Sequence, residues 1–258
     1  MTELAFFEQT IRTRVSDEAS TSLLEGCAKD QPLLLIVWPQ LGDFDSLEYA
    51  WWLQRDAARL QDKNIQVRAV GIGDRTSAQK FCDFTGFPQE QLFIDPTAQI
   101  HRDLNLYPGL QASLPGFSNQ QNAWLNLLLM CAGIGSPGTL KEVFRGYRGD
   151  RNAPQLIQPE EEIKAAPLPP IKGKFFDRAG GSGFQRPFEL ATLRLKNMVE
   201  VLGHWNSYVP DAAYMTQRGG TFLYGDDQAL LYEYRDPGIL GFSESMNNPL
   251  EFLWQTLN

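Results

Sequence analysis

The residues whose types and spacing could do chemistry lie in a short turn, residues 42–46, which reads Gly-Asp-Phe-Asp-Ser. A helix N-terminus after such a turn stabilises negative charge and would activate a cysteine there as a thiolate. Asp43 and Asp45 can supply that charge, but a carboxylate cannot become a sulfenic acid or form a disulfide. Ser46 has the shape of a cysteine without its acidity. We therefore predict no thiol chemistry from this turn, with Asp45 or Ser46 serving as the helix N-cap.

Three cysteines are the remaining candidate thiols, and they show neither a CxxC motif nor a paired spacing. This pattern argues against a disulfide framework, a zinc site or any other metal site, and we expect no cofactor. Cys27, beside a glycine and near a lysine, is predicted to be the most exposed of the three. Cys82 lies on a predicted amphipathic helix and is typical of a small buried hydrophobe. Cys131 lies in an apolar run, where burial would raise its pKa and make it inert.

A second group of candidate binding residues surrounds a glycine run at residues 180–183. Gly181 and Gly183 could present backbone N–H groups to an anion, with Arg178 and Arg186 close by in the sequence. This makes the run the best candidate contact for an acidic ligand or partner. The alternative, which we favour, is a flexible hinge between a proline-rich loop and a long helix.

The elements that must position these residues alternate between strands and helices, which predicts parallel crossover units. The predicted strands are residues 33–38, 65–72 and 92–94, followed much later by a hairpin at 220–224 and 229–234. The predicted helices are a lead-in within the first 30 residues and the segments after residue 45, 76–84, 122–132, 139–147, 187–205 and 242–257. Residues 154–174 hold five prolines and an acidic run, which predicts a linker or a surface loop.

Helical spacing also predicts which faces of two helices are buried. In the helix after the turn, these are Leu47, Ala50, Trp51, Gln54 and Ala58. In the helix at 187–205, the apolar stripe comprises Phe188, Ala191, Leu195, Met198 and Leu202.

Composition restricts the classes of partner. A net charge of −8 and a pI near 4.9 argue against nucleic-acid binding and against docking on an anionic membrane surface. The most apolar runs are shorter than the roughly 20 residues that a membrane helix needs. With no secretory signal visible and few cysteines, a reducing, cytoplasmic compartment is the default expectation.

Several of these segments resemble a known family. Residues 33–48 look like the strand, turn and helix that carry the cysteine in the peroxiredoxin-like 2 branch of the alkyl-hydroperoxide-reductase/thiol-specific-antioxidant (AhpC/TSA) superfamily. Phe81-Cys82, Gly86-Phe87-Pro88 and Ile94-Asp95-Pro96 are similar to its next helix and strand, and residues 217–222 and 231–236 to its closing hairpin. Residues 124–149 and 180–205 resemble those of cyanobacterial members.

The resemblance implies a thioredoxin-like α/β fold, with a central mixed sheet flanked by helices. It implies one domain over residues 1–258, with a core at 28–110 and 216–258 and a long, mainly helical insertion at 110–215. The family's cysteine positions match Asp43 and Ser46, which implies a degenerate active site. Arg218 matches an arginine that holds the family's thiolate; the alternative is an ordinary partner for Asp43 or Asp45.

Two functions follow. The first is a non-catalytic protein-binding, assembly or regulatory factor, because the thiol pair is missing while an insertion and six tryptophans are present. Its partner, if the cyanobacterial resemblance holds, would be a photosynthetic complex at the cytoplasmic face of the thylakoid membrane. The alternative is a thiol-dependent antioxidant enzyme, a peroxidase or oxidoreductase, that uses Cys82 or Cys27 atypically.

Overall fold

The computed structural model describes residues 2–178 and 187–257. The strands in these ranges are β1 (Ile11–Arg14), β2 (Ser20–Ser22), β3 (Leu33–Gln40), β4 (Gln66–Ile72), β5 (Leu92–Ile94), β6 (Glu162–Ile163), β7 (Ile171–Lys172), β8 (Gly220–Tyr224) and β9 (Leu230–Arg235). The α-helices are α1 (Glu3–Gln9), α2 (Phe44–Arg55), α3 (Ala57–Asp62), α4 (Arg75–Thr85), α5 (Gln99–Asp103), α6 (Asn119–Cys131), α7 (Thr139–Arg148), α8 (Pro187–Gly203), α9 (Trp205–Tyr208) and α10 (Glu251–Thr256). Short 3₁₀ segments cover Gln89–Gln91, Gly173–Arg178 and Ala212–Tyr214.

A seven-stranded mixed sheet runs through the protein in the order β2-β1-β5-β4-β3-β8-β9. Strands β3, β4 and β5 are parallel neighbours, joined by helical crossovers. Strand β8 pairs antiparallel with β3 and with β9, which closes the sheet with a hairpin. This arrangement is a thioredoxin-like fold, and it confirms the predicted β3, β4, β5 and closing hairpin.

The sheet has an apolar core on each face because β3 is buried along its whole length. Alternate residues of a strand point to opposite faces. Leu34, Ile36 and Trp38 pack with α2, α4 and α8, whereas Leu35 and Val37 pack on the other face with Phe7 of α1. An uninterrupted apolar run is the sequence signature of such a doubly covered strand.

The prediction of a helical lead-in was wrong beyond residue 9. Residues 11–22 form the β1–β2 hairpin, and β1 adds to the sheet edge through antiparallel pairing with β5. Backbone hydrogen bonds from a distant strand decide this segment, so its local pattern could not reveal it. The predicted terminal helix at 242–257 is likewise reduced to the short α10.

The helix after the turn also differs from its prediction. Its buried side chains include Tyr49, Trp52 and Leu53, whereas Ala58 is exposed and Trp51 and Gln54 are only half-buried. The chain interrupts the helix at Asp56, between α2 and α3, so the extrapolated helical face does not continue. Packing of the sheet below and of α8 above buries a wider face of α2 than one stripe.

Helices α6 and α7 confirm the predicted helices at 122–132 and 139–147, and α8 confirms the predicted helix at 187–205 to within two residues. The proline-rich segment 154–174 was expected on the surface, yet Leu156, Ile157 and Ile163 lie in the main core. Arg55 of α2 donates a hydrogen bond to the Leu156 carbonyl oxygen at 2.6 Å, which ties this segment to the helix after the turn. The segment 154–174 therefore contributes side chains to the main hydrophobic core.

The buried face of α8 was predicted incorrectly. Its buried apolar residues are Leu190, Leu193 and Val201, at helical spacing. The predicted stripe is mostly exposed instead, at Phe188, Ala191, Met198 and Leu202. Helix α8 carries two apolar faces, and periodicity alone does not choose between them. Contacts with α2 and α7 decide the choice.

Candidate functional site

The turn at residues 42–46 lies where β3 ends and α2 begins. Asp43, not Asp45 or Ser46, is the N-cap: its backbone is extended and its carboxylate accepts the Asp45 N–H at 2.9 Å. Ser46 is fully buried, and its Oγ donates to the Gln40 carbonyl oxygen at 3.0 Å. A hydroxyl that is buried and already bonded supports the turn and is not available as a nucleophile.

Gly42 shows how closely the far end of the segment 110–215 packs on the turn. A Cβ built on Gly42 would lie 2.6 Å from the Cβ of Tyr208 and 2.9 Å from the Tyr208 carbonyl oxygen. Such distances are too short for any side chain. The turn and α9 can therefore meet only with a glycine at this position.

Arg218 lies beneath the turn and is completely buried. Its guanidinium donates to the carboxylates of both Asp43 and Asp45, the latter at 3.2 Å, while its Nε donates to the Thr216 carbonyl oxygen at 3.1 Å. Of the two interpretations of Arg218, this geometry matches the second, in which Arg218 is an ordinary partner for Asp43 or Asp45. The cation that could hold a thiolate is held by two carboxylates instead.

A third carboxylate, Asp236, completes the cluster from the end of β9. It accepts the Gly219 N–H at 3.0 Å. Burial raises the pKa of Asp236 to about 7, although Arg218 and this hydrogen bond act in the opposite direction. Burial, and then the charge of Asp43, also raise the pKa of Asp45. Three carboxylates around one guanidinium thus favour retention of a proton near neutral pH.

Changing Asp236 to Asn should remove part of the pH dependence of stability. Because the pKa of Asp236 is raised on folding, the folded protein retains its proton between about pH 4 and 7, and stability falls as pH rises through that window. An asparagine can accept the same Gly219 N–H without ionising. From pH 5 to pH 8, we expect the stability difference, variant minus wild type, to grow by about 2–3 kcal/mol, measured by urea unfolding.

The control is Asp226→Asn, which replaces an exposed carboxylate in the hairpin turn. The plot of its stability against pH should stay parallel to that of the wild type.

His101 affects the pH dependence of stability in the opposite sense to Asp236. Burial lowers the pKa of His101 to about 4, and its Nε2 contacts the Trp38 carbonyl oxygen at 2.9 Å. It is present in both proteins and cancels in the difference. If the stability difference between Asp236→Asn and the wild type did not change with pH, the retention of a proton by Asp236 in the folded protein would be contradicted.

A second charge cluster joins the segment 110–215 to the helix after the turn. Arg194 of α8 bonds to Glu48 of α2 at 2.9 and 3.2 Å, and to Glu142 of α7 at 2.8 Å. Arg145 also binds Glu142, at 2.6 Å. Sequence reasoning missed this network. The only available signal was Glu48, an acidic residue within the apolar face of α2.

Only Cys82 lies where it was predicted, and the other two cysteines do not. Cys82 is buried, and burial raises its pKa to about 12. Cys27 is only half-buried, and burial raises its pKa as well. Cys131, expected to be buried, is the exposed one, because α6 turns Asn122, Asn126 and Met130 inward. The pKa of Cys131 is raised first by partial desolvation and next by the charge of Asp43.

A cavity of about 520 Å³ lies above the turn, between it and helices α6, α7 and α8. Asp43 and Phe44 contribute to it from the turn, and Cys131 contributes from α6. Cys131 is thus the thiol that the fold brings to the turn, although the two are far apart in the sequence.

The candidates in and around the glycine run lie at or beyond a gap in the described residues. Gly181, Gly183 and Arg186 lie outside the described residues, and Arg178 is the last residue described before that gap. Within the described ranges, no group of three or more His, Cys, Asp and Glu side chains is placed to hold a metal ion. No helix there is both long and apolar enough to cross a membrane.

Comparison with known proteins gives one family. The family model described as AhpC/TSA antioxidant enzyme matches residues 52–238, which is more than half of the chain. A search of curated proteins found no match. The matched range begins within α2, so it includes Arg218 and Asp236 but not the turn itself. A thioredoxin-like sheet with this match assigns the protein: the chain belongs to the AhpC/TSA antioxidant enzyme family.

Proposed function

We propose that this AhpC/TSA-family protein is a non-catalytic protein-binding factor, with no thiol peroxidase chemistry at its turn. The observation that carries the proposal is the engagement of the fully buried Arg218 by Asp43 and Asp45. A peroxide-reducing thiolate would need that guanidinium free. Here no cysteine occupies residues 42–46, and the local positive charge is already neutralised.

The protein-binding part of the proposal rests on the outer face of α7, which we call the α7 stripe. It consists of the exposed residues Leu140, Lys141, Phe144, Tyr147 and Arg148. Phe144 and Tyr147 are 57% and 76% exposed, which is unusual for large aromatic side chains. Both charged residues of the stripe are basic, although the whole chain carries −8. The occupant that fits is a protein with an apolar patch bordered by acidic residues.

The partner test places a photo-crosslinking amino acid at Phe144, with the exposed Ile11 of β1 as the control position. We expect one discrete adduct from position 144 and none from position 11. Reversing the charges with Lys141→Glu and Arg148→Glu should abolish the adduct, because the stripe would then repel acidic residues. Adducts that are equal at both positions, or that survive charge reversal, would contradict the assignment. A photosynthetic complex at the thylakoid remains the predicted partner.

A second candidate function, a thiol-dependent antioxidant enzyme, is favoured by one observation. Cys131 is exposed and lines the cavity beside Asp43. Against it, the pKa of Cys131 is raised, so the reactive thiolate is disfavoured. The raised pKa values of Cys82 and Cys27 disfavour both thiols named from the sequence.

One peroxide assay separates the two functions. The reduced protein is mixed with a slight excess of hydrogen peroxide and a sulfenic-acid trap, and the labelled cysteine is identified by mass spectrometry. We expect no trapping faster than that of a free thiol, since each thiol has a raised pKa. Rapid trapping at Cys131 that Cys131→Ser abolishes, while Cys27→Ser does not, would replace the non-catalytic proposal with the antioxidant one.

A further inference from the structure

The cavity above the turn has the size and the lining of a small-molecule site. Its volume of about 520 Å³ falls within the usual range for such sites, about 300–1,000 Å³. Hydrocarbon side chains from three helices and a distant loop form most of its walls: Leu127, Val143, Leu195, Met198 and Ile239. These residues come from α6, α7, α8 and the chain after β9, so the cavity exists only in the folded protein.

One wall of the cavity is the exposed apolar stripe of α8. Ala191, Leu195 and Met198 line the cavity, and Met198 remains 38% exposed. Apolar surface left in contact with water is unfavourable, and an apolar ligand would remove it from water. Helix packing does not explain the second apolar face of α8, whereas a role in binding an apolar ligand does.

The charges around the cavity select against anions. At its floor, Asp43 shares the guanidinium of Arg218 with Asp45, and Asp236 supplies a third carboxylate to the same cluster. At its side, Arg194 is neutralised by two glutamates. The Asp43 side chain is 12% exposed, and each oxygen of a carboxylate can accept more than one hydrogen bond. A ligand hydroxyl could donate to it.

We propose that this cavity binds a neutral, mainly hydrocarbon small molecule whose hydroxyl group donates a hydrogen bond to the Asp43 carboxylate. The proposal goes beyond the protein-binding function, because the ligand lies inside the cavity, whose lining shares only Tyr147 with the α7 stripe. It is also independent of thiol chemistry, since binding requires no reaction at Cys131.

The test uses the full-length protein and the neutral fluorescent dye Nile red at pH 8. We expect saturable dye binding, and we expect decan-1-ol to displace the dye at a concentration at least tenfold lower than decanoate does. The two competitors share a hydrocarbon chain and differ in the charge of the head group. Occupancy should also slow alkylation of Cys131 while leaving alkylation of Cys27 unchanged, because only Cys131 lines the cavity.

A matched pair of variants locates the binding. Ala191→Trp fills the cavity from α8 and should weaken Nile red binding at least tenfold, whereas Ala58→Trp, at an exposed position of α3, should not. Absence of dye binding, equal loss in both variants, or stronger displacement by decanoate would each overturn the proposal. Light scattering on the same samples tests whether a second copy of the chain occupies the cavity instead. A dimer that Ala191→Trp dissociates would assign the cavity to that second copy and overturn the proposal.

Discussion

Changing Arg218 to Met is expected to lower the free energy of unfolding at pH 8 by about 3–5 kcal/mol. The substitution removes the only guanidinium bonded to Asp43 and Asp45 among the described residues and leaves their negative charges, together with that of Asp236, in a buried site. A methionine of similar length preserves much of the packing. The loss therefore reports the unpaired carboxylates and not a cavity.

The pH dependence of this stability loss distinguishes unpaired buried charges from lost packing. At pH 5 the deficit should shrink, because Asp45 and Asp236 have raised pKa values and can accept protons. Adding Asp45→Asn to Arg218→Met should restore part of the stability at pH 8. The control, Arg75→Met, removes an exposed partner of Glu18 and should leave stability unchanged. A deficit that is the same at both pH values would show that packing, not charge, dominates.

Changing Arg194 to Met is expected to lower the free energy of unfolding by about 3 kcal/mol. Glu48 and Glu142 are almost fully buried and would lose their shared cation, although Glu142 keeps Arg145. Because Arg194 joins α2, α7 and α8, we expect hydrogen exchange to accelerate in α7 and α8 more than in β3 and β4. Mass spectrometry of exchanged peptides measures this difference.

Two comparisons distinguish this effect from a general loss of charge. Adding Glu48→Gln to Arg194→Met should recover part of the stability, since it removes the buried charge that has lost its partner. Arg235→Met also removes a guanidinium bound to two glutamates, but that site is about one third exposed, so we expect a change of about 1 kcal/mol or less. Exchange that accelerates evenly over the whole chain would contradict the proposed coupling.

The sheet core could be predicted from the sequence because its signals are local. An apolar run such as residues 33–38 can be buried only where both faces of the strand are covered, and it forms β3. The same holds for the hairpin of β8 and β9. Segments that lack such a signal were predicted poorly: the β1–β2 hairpin depends on its edge pairing with β5, which is distant in sequence.

The turn itself was predicted in part. Its composition excluded a thiol at residues 42–46, and the resemblance placed Arg218 near it. That Arg218 contacts both Asp43 and Asp45 depends on β3 and β8 lying side by side. The choice of Asp43 as N-cap depends on where β3 ends, which a pattern locates only to within a few residues.

The thioredoxin-like order of elements and the lack of a thiol in the turn could be predicted, because both depend on residue identity and local periodicity. Which groups meet at the turn depends instead on contacts between segments that are distant in the sequence. The tertiary structure brought Cys131 and the apolar stripe of α8 to the cavity above Asp43, and it joined Glu48 to Arg194. Helix α8 has two apolar faces, and in its contacts with α2 and α7, which include the ion pairs of Arg194, the face with Leu190, Leu193 and Val201 lies in the core.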